Sequence, residues 1–128
     1  MPASLPGLEH LATDGPLLDD AMIAELTDDL GAEQFGRLVR IYGDDLETRL
    51  AQLREAAAGA DIASARRILH AMAGSSASIG AVALAALCRG AMHADALSPP
   101  MVEEVEAGAL AVLSAFGRRG HRGGGAIG

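Results

Sequence analysis

Residues 70–81 read HAMAGSSASIGA. All but two of the eleven residues that follow His70 in this stretch are alanine, glycine or serine. Alanine favours a helix, and side chains this small let neighbouring helices pack closely. Gly74 costs about 1 kcal/mol relative to alanine inside a helix, so its place one turn after His70 needs a reason other than helix stability. The stretch predicts a helix that carries His70 and ends near Gly80.

The composition of the whole chain extends this prediction. The chain has 27 alanines in 128 residues, no Trp and an aromatic fraction of 2%. Strands favour β-branched and aromatic residues, so this composition suits packed helices far better than a sheet. A length of 128 residues accommodates one domain with one core. We therefore predict a single all-α domain.

Apolar residues recur at helical spacing in five segments of the chain. Residue types that are typical of helix boundaries separate them, and the predicted helices span residues 19–30, 32–58, 62–78, 81–96 and 99–116. Because the connections are short, we predict an antiparallel up-down four-helix bundle with an additional short N-terminal capping helix. The predicted organisation is a flexible N-terminal arm, the bundle domain and a disordered Gly/Arg-rich tail, at residues 1–18, 19–116 and 117–128.

The charge of the chain restricts its function. The formal net charge is −7, and the first 116 residues hold seven arginines against 17 acidic residues, a net charge of −10. General nucleic-acid binding needs clustered basic residues, so the sequence argues against that class of function. No apolar run approaches the roughly 20 residues of a membrane-spanning helix, and the N-terminus lacks the pattern of a signal peptide. We expect a cytoplasmic protein.

Metal and disulfide chemistry find no support in the sequence. Cys88 is the sole cysteine, which excludes an internal disulfide and a multi-cysteine metal site. It falls on the inner stripe of the predicted fourth helix, where we interpret it as a small core residue. The four histidines show no metal-ligand spacing with cysteine or acidic residues. We predict that this chain binds no metal and no cofactor.

The spacing of one group of residues resembles the signature of histidine-phosphotransfer (HPt) domains of bacterial phosphorelay two-component systems. The group is His70, Gly74, Ser75, Ser76, Gly80 and Ala81. The resemblance covers residues 19–116 and implies that His70 is the phosphoacceptor. It implies response-regulator receiver domains and a sensor or hybrid histidine kinase as partners, with Mg²⁺ on the receiver. It also implies a monomeric phosphocarrier without independent turnover rather than an enzyme.

The residues around His70 suit this role on physical grounds. His70 lies about 100° around the helix from Leu69, which faces the core, so its imidazole is expected to project into water. Its neighbours at helical spacing are all small, namely Ala63, Ala73, Gly74 and Ala77. Gly74 would clear space for a phosphoryl group and for the active site of a partner. Imidazole is partly neutral near pH 7, as a nucleophile must be.

One position departs from the family pattern. HPt domains usually carry Lys three residues after the histidine, where its charge neutralises the phosphoryl group, and here that place holds Ala73. All ten cationic residues of the chain are arginines, so no other Lys can substitute. We expect Arg66, one turn before His70, to replace it, with Arg67 and Arg89 as lesser candidates.

The sequence leaves two roles and two other functions open. Ser75 is predicted to support the phosphoryl site or to contact a partner, whereas Ser76 is predicted to bond to the backbone or to pack at the bundle interface. The loss of Lys at Ala73 favours an alternative function, a phosphorylation-incompetent adaptor that binds a receiver or kinase domain. A helical interaction module with a coincidental motif is the third interpretation.

Overall fold

The computed structural model describes residues 16–125, and within this range the chain forms helices and turns without any strand. We number the helices α1 to α5, and they span Asp20–Leu30, Ala32–Ala58, Ile62–Ile79, Val82–Met92 and Pro99–Gly125. Within the described residues, no helix has the length and apolar character needed to cross a bilayer.

Four of the helices close a ring around the core. Helix α2 packs against α3, α3 against α4, α4 against α5, and α5 returns to α2. Short connections reverse the chain between successive helices, so neighbours in the ring run antiparallel. Helix α1 lies across α2 and α3. The predicted fold, an up-down four-helix bundle with a short N-terminal capping helix, is confirmed.

Capping side chains define where α1 and α3 begin. The carboxylate of Asp19 accepts a hydrogen bond of 3.1 Å from the backbone N–H of Met22. Asp61 accepts one of 2.7 Å from the Ser64 hydroxyl and one of 3.1 Å from the Ser64 N–H, and these bonds lower the pKa of Asp61. Each cap satisfies a backbone donor that the first helical turn leaves unpaired.

Apolar side chains from all five helices fill the inside of the ring. The largest that are fully buried are Ile23, Leu46, Leu53, Leu69, Met72, Leu84, Val105 and Val112. Full burial of such a side chain stabilises the fold by about 1.5–3 kcal/mol. The ring of Phe116 lies 6.2 Å from that of Phe35 and 6.1 Å from that of Tyr42, measured between centroids. The few aromatic residues thus meet at one end of the core.

At two glycines, an added side chain would come too close to a neighbouring side chain. Gly80 ends α3 with φ of 89°, in the left-handed region, and a Cβ there would lie 2.9 Å from Cγ1 of Ile23. A Cβ at Gly108 would lie 2.7 Å from Cδ2 of Leu87. A side chain at position 108 would therefore force the Leu87 side chain of α4 to move.

The predicted end of α4 at residue 96 is wrong, because the helix ends at Met92 with His93 as its C-cap. The guanidinium of Arg66 on α3 donates hydrogen bonds of 3.2 Å to the carbonyl oxygens of Met92 and Ala94. A longer helix would use the Met92 carbonyl for the amide of residue 96. The Arg66 side chain occupies this acceptor instead, and the chain turns towards α5.

At both ends of the bundle, the described structure continues past the residues predicted for it. The sequence places a helix end at Gly117 and a disordered tail after it, but α5 continues to Gly125. Glycine in a helix costs only about 1 kcal/mol, so Gly117 weakens α5 without ending it, and Arg119 pairs with Asp20 of α1 at 2.6 Å. Residues 126–128 lie outside the described part of the chain.

The last residues of the predicted flexible arm belong to the bundle. Leu18 is buried, and the carbonyl of Leu17 accepts a hydrogen bond from the backbone N–H of Ala83. Next to them, the N–H of Asp19 donates to the carbonyl of Gly80 at 2.8 Å. Apolar burial and these backbone bonds order residues 16–18 against the α3–α4 turn, while residues 1–15 lie outside the described part of the chain.

A buried hydrogen bond joins α2 to α3. The hydroxyl groups of Tyr42 and Ser76 lie 2.6 Å apart, and both side chains are buried. Burial raises the pKa of Tyr42 to about 12. Each hydroxyl satisfies the other, and within the described residues no buried side-chain nitrogen or oxygen lacks a partner. The pair therefore holds α3 at one height and one rotation against α2.

We expect Tyr42→Phe to lower the free energy of unfolding by about 1–2 kcal/mol, because it leaves the buried Ser76 hydroxyl without its partner. The double variant Tyr42→Phe/Ser76→Ala should recover part of this loss, since neither polar group remains. Urea denaturation measures both. Ser78→Ala is the matched control on the exposed face of α3 and should change stability by less than about 0.5 kcal/mol. If the loss in the double variant equals the sum of the losses in Tyr42→Phe and Ser76→Ala measured singly, the two hydroxyl groups are not coupled.

The raised pKa of Tyr42 predicts a loss of stability at alkaline pH. The folded state holds the phenol protonated up to a pKa of about 12, whereas the unfolded chain releases the proton near 10.0. Stability should therefore fall as the pH rises from 10 towards 12. Tyr42 is the sole tyrosine, so tyrosinate absorbance reports its ionisation directly. A native titration midpoint near 10 would show that the phenol is not protected.

Candidate functional site

His70 lies in the middle of α3 with an exposed side chain. The residue before it, Leu69, is 1% exposed and faces the core. Arg66, one turn earlier and about 40° away around the helix, reaches α4, whereas Ser76, about 120° away, bonds to α2. His70 therefore lies on the flank of α3 nearer to α4, at the solvent edge, as the sequence predicts for an accessible imidazole.

The space beside His70 is open. Gly74 lies one turn after His70 on the same exposed strip of α3, and a Cβ added there would meet no atom within 4 Å. Ala63 is exposed on the other side of His70, and Ala77 is half-buried. Packing inside the bundle does not demand a glycine at position 74. The clearing predicted from the sequence is thus present in the folded chain.

In the structure, neither Ala73 nor Arg66 is placed to act at the imidazole of His70. Ala73 is 3% exposed, so the place of the usual Lys faces the interior of the bundle at the α4 side. Two nitrogens of the Arg66 guanidinium donate to the Met92 and Ala94 carbonyls, at the far end of α4. The charge of Arg66 is therefore directed to the C-terminus of that helix, where it also favours the helix dipole.

The other predicted support residues are placed differently. Arg67 is exposed about 60° around the helix from His70, and its guanidinium donates a 2.9 Å bond to the Ser64 hydroxyl. Ser75 lies about 140° from His70, and its hydroxyl donates to the Met72 carbonyl at 3.3 Å. Arg67 thus borders the clearing, whereas the structure does not bring Ser75 to it.

The remaining reactive groups lie elsewhere. Cys88 is fully buried, and burial raises the pKa of its thiol to about 11, so at neutral pH it is a protonated thiol within the core. Among the side chains that the structure describes, residues 16–119, no three His, Cys, Asp or Glu are grouped to hold a metal ion. An open groove of about 680 Å³ lies between α2 and α3 near Gly59; Arg67 lines it, but His70 does not.

The Tyr42–Ser76 pair is the site-supporting feature that sequence reasoning missed. The sequence predicts that Ser76 bonds to the backbone or packs at the bundle interface, but nothing at the level of one helix identifies a side-chain partner 34 residues earlier in the chain. The one available signal is that Tyr42 falls on the inner stripe of α2 and carries a hydroxyl that needs a partner when buried.

Comparisons with known proteins agree with this geometry. The profile of a family described as Hpt domain matches residues 37–115. Among solved structures, the chain is similar to histidine-containing phosphotransfer protein B (HptB) from Pseudomonas aeruginosa PAO1, with a TM-score of 0.72 and 28% sequence identity. The match covers 84% of this chain and 97% of the HptB chain. None of the curated proteins compared with the chain matches it.

The open surroundings of Gly74 predict the effect of a methyl group there. Gly74→Ala should raise the free energy of unfolding by about 0.5–1 kcal/mol, because alanine favours the helix and meets no neighbouring atom. Gly90→Ala, at an equally open position on α4, is the matched control and should behave alike. Gly80→Ala should destabilise, because of its φ of 89° and its contact with Ile23. Thermal unfolding compares the three, and destabilisation by Gly74→Ala would show that the fold itself needs this glycine.

Proposed function

Because the chain belongs to the Hpt domain family, we propose that it is a histidine phosphotransfer protein that relays a phosphoryl group through His70, between receiver-domain aspartates of a two-component phosphorelay. The matched residues, 37–115, include all of α3 and α4, most of α2, and residues 99–115 of α5. The observation that carries the proposal is the exposed imidazole in mid-helix beside the open space at Gly74. HptB, by its name a histidine-containing phosphotransfer protein, supports the same function.

The proposed reaction is a reversible exchange between two residues. A neutral ring nitrogen of His70 attacks the phosphorus of an aspartyl phosphate on the receiver. An N–P bond forms as the acyl P–O bond breaks, and the aspartate carboxylate keeps the bonding electrons. In the opposite direction, the carboxylate of a second receiver attacks and the imidazole leaves. Phosphoryl transfer of this kind depends on alignment and charge neutralisation more than on covalent chemistry by the protein.

The division of roles follows from what each partner offers. This chain supplies a rigid helix with an accessible imidazole, and small residues beside it let a second active site approach. The receiver supplies the aspartate and the Mg²⁺ that neutralises charge. The chain would therefore act as a phosphocarrier without turnover of its own and without a bound cofactor. Receivers and a sensor or hybrid histidine kinase are its proposed partners, met transiently by a monomer in the cytoplasm.

One observation favours a second candidate function. The place of the family's usual Lys is occupied by the buried Ala73, and the chain contains no Lys. A domain that kept the bundle but lost an efficient phosphoryl site would act as an adaptor that binds a receiver or kinase domain without accepting phosphate. Phosphate uptake separates this adaptor from the relay protein.

We expect phosphorylated receiver domains, tested as a panel, to label the native chain, and His70→Gln to abolish the label. The label should be stable in alkali and labile in acid, as an N–P bond requires. His93→Gln is the matched control and should keep the label, because His93 is a second exposed histidine, at the C-terminal end of α4. Retention of label on His70→Gln would refute His70 as the acceptor. A receiver that binds but transfers nothing would select the adaptor.

A further inference from the structure

The helical hairpin that carries His70 has a charge unlike that of the rest of the chain. Residues 62–94, which form α3, α4 and the turn between them, contain no Asp or Glu, although the chain has 17. Their charged or titratable side chains are Arg66, Arg67, Arg89, His70, His93 and the buried Cys88. A phosphoryl group on His70 would therefore meet no carboxylate from its own hairpin, whose permanently charged side chains are all arginines.

The three arginines of the hairpin differ in whether their guanidinium groups bind a neighbouring residue. Arg66 donates to two carbonyl groups at the end of α4, and Arg67 donates to the hydroxyl of Ser64. Arg89 is exposed, and among the described residues it forms no hydrogen bond or ion pair. It is therefore the arginine of this hairpin whose guanidinium is not committed to a neighbour in the described structure.

Arg89 lies at the height of His70 along the hairpin. Arg66 reaches Met92 and Ala94, and His70 is four residues closer than Arg66 to the turn at Gly80. Because α4 runs antiparallel to α3, the level of His70 on α4 lies about four residues before the Met92–Ala94 region, and Arg89 occupies this level. Both helices rise by about 1.5 Å per residue, so the two positions stay level.

Arg89 also faces the correct side of α4. Among the helices of the described structure, α4 packs against α3 and α5 only. Leu84 and Leu87 face α5, because both approach Gly108. Arg89 points in nearly the opposite direction around α4, about 170° from the mean direction of these two leucines, which is the side of α3 and solvent. His70 lies on the flank of α3 that is nearer to α4, and packed helix axes lie about 8–10 Å apart, within reach of an arginine side chain.

We propose that Arg89 supplies the positive charge beside phosphorylated His70, in the role that Lys three residues after the histidine has in the family. This assignment rests on the proposed function and names a residue of the same site. A guanidinium binds phosphate oxygens through paired N–H donors, so it stabilises both the bound phosphoryl group and the charge that moves during transfer. Position 73 then needs no cation, which accounts for a buried alanine there.

The test is independent of any receiver. Phosphoramidate transfers its phosphoryl group to imidazole and releases ammonia, and ³¹P NMR follows the ionisation of the group on His70. We expect the pKa of that phosphoryl group to rise by about 0.5–1 in Arg89→Ala, because loss of a nearby cation disfavours the dianion. Arg89→Lys should stay close to the native value. Arg40→Ala, an exposed arginine on α2, is the matched control and should leave the pKa unchanged.

Transfer kinetics provide the second measurement. With a receiver that phosphorylates the native chain, Arg89→Ala should slow transfer roughly tenfold or more, without loss of thermal stability. Arg89→Lys should recover most of the rate. An unchanged phosphoryl pKa in Arg89→Ala overturns the role of Arg89. If no receiver transfers its phosphoryl group to the chain, but the pKa of the phosphoryl group on His70 does change in Arg89→Ala, the proposed relay function is wrong. The assignment of Arg89 to the phosphoryl site is then still supported.

Discussion

The position of α3 between its two neighbours is the constraint on which the site depends. On one side, the buried hydroxyls of Tyr42 and Ser76 join α3 to α2. On the other side, the guanidinium of Arg66 joins α3 to the end of α4. A helix held at two flanks can neither slide nor rotate freely, so the imidazole of His70 keeps one direction towards solvent. The alanines and glycines of the hairpin allow the close approach that both contacts need.

Much of the fold could be predicted because local signals agree with tertiary packing. The bounds of α2, residues 32–58, follow from a long apolar stripe between two glycines, and both ends are as predicted. The ends of α4 and α5 are different. The end of α4 depends on an arginine 26 residues earlier in the chain, which no local pattern reveals. The end predicted for α5 relied on Gly117, whose preference is too weak to override a helix that continues.

The candidate site was predictable to a similar degree. The exposure of His70 and the open space at Gly74 follow from helical spacing, since neighbours of a helical residue are known from the sequence. The groups that a long side chain binds cannot be predicted from helical spacing in the same way. Arg66 shares a helix face with Ala73, which suggested a cation beside the phosphoryl group, but the acceptors at Met92 and Ala94 direct it elsewhere. Arg66 and Arg89 lie on different helices. Which of them is directed to His70 depends on how far α3 and α4 are offset along their axes, and the sequence does not give this offset.

The absence of carboxylates from residues 62–94 has a consequence beyond the site itself. A positive hairpin attached to a strongly acidic remainder makes the molecule an electric dipole whose positive pole coincides with the His70 face. The field of an acidic partner exerts a torque on such a dipole before the surfaces touch, over distances of about one Debye length, roughly 8–10 Å at physiological salt. Collisions with a partner of that kind are then biased towards the orientation in which the His70 face leads.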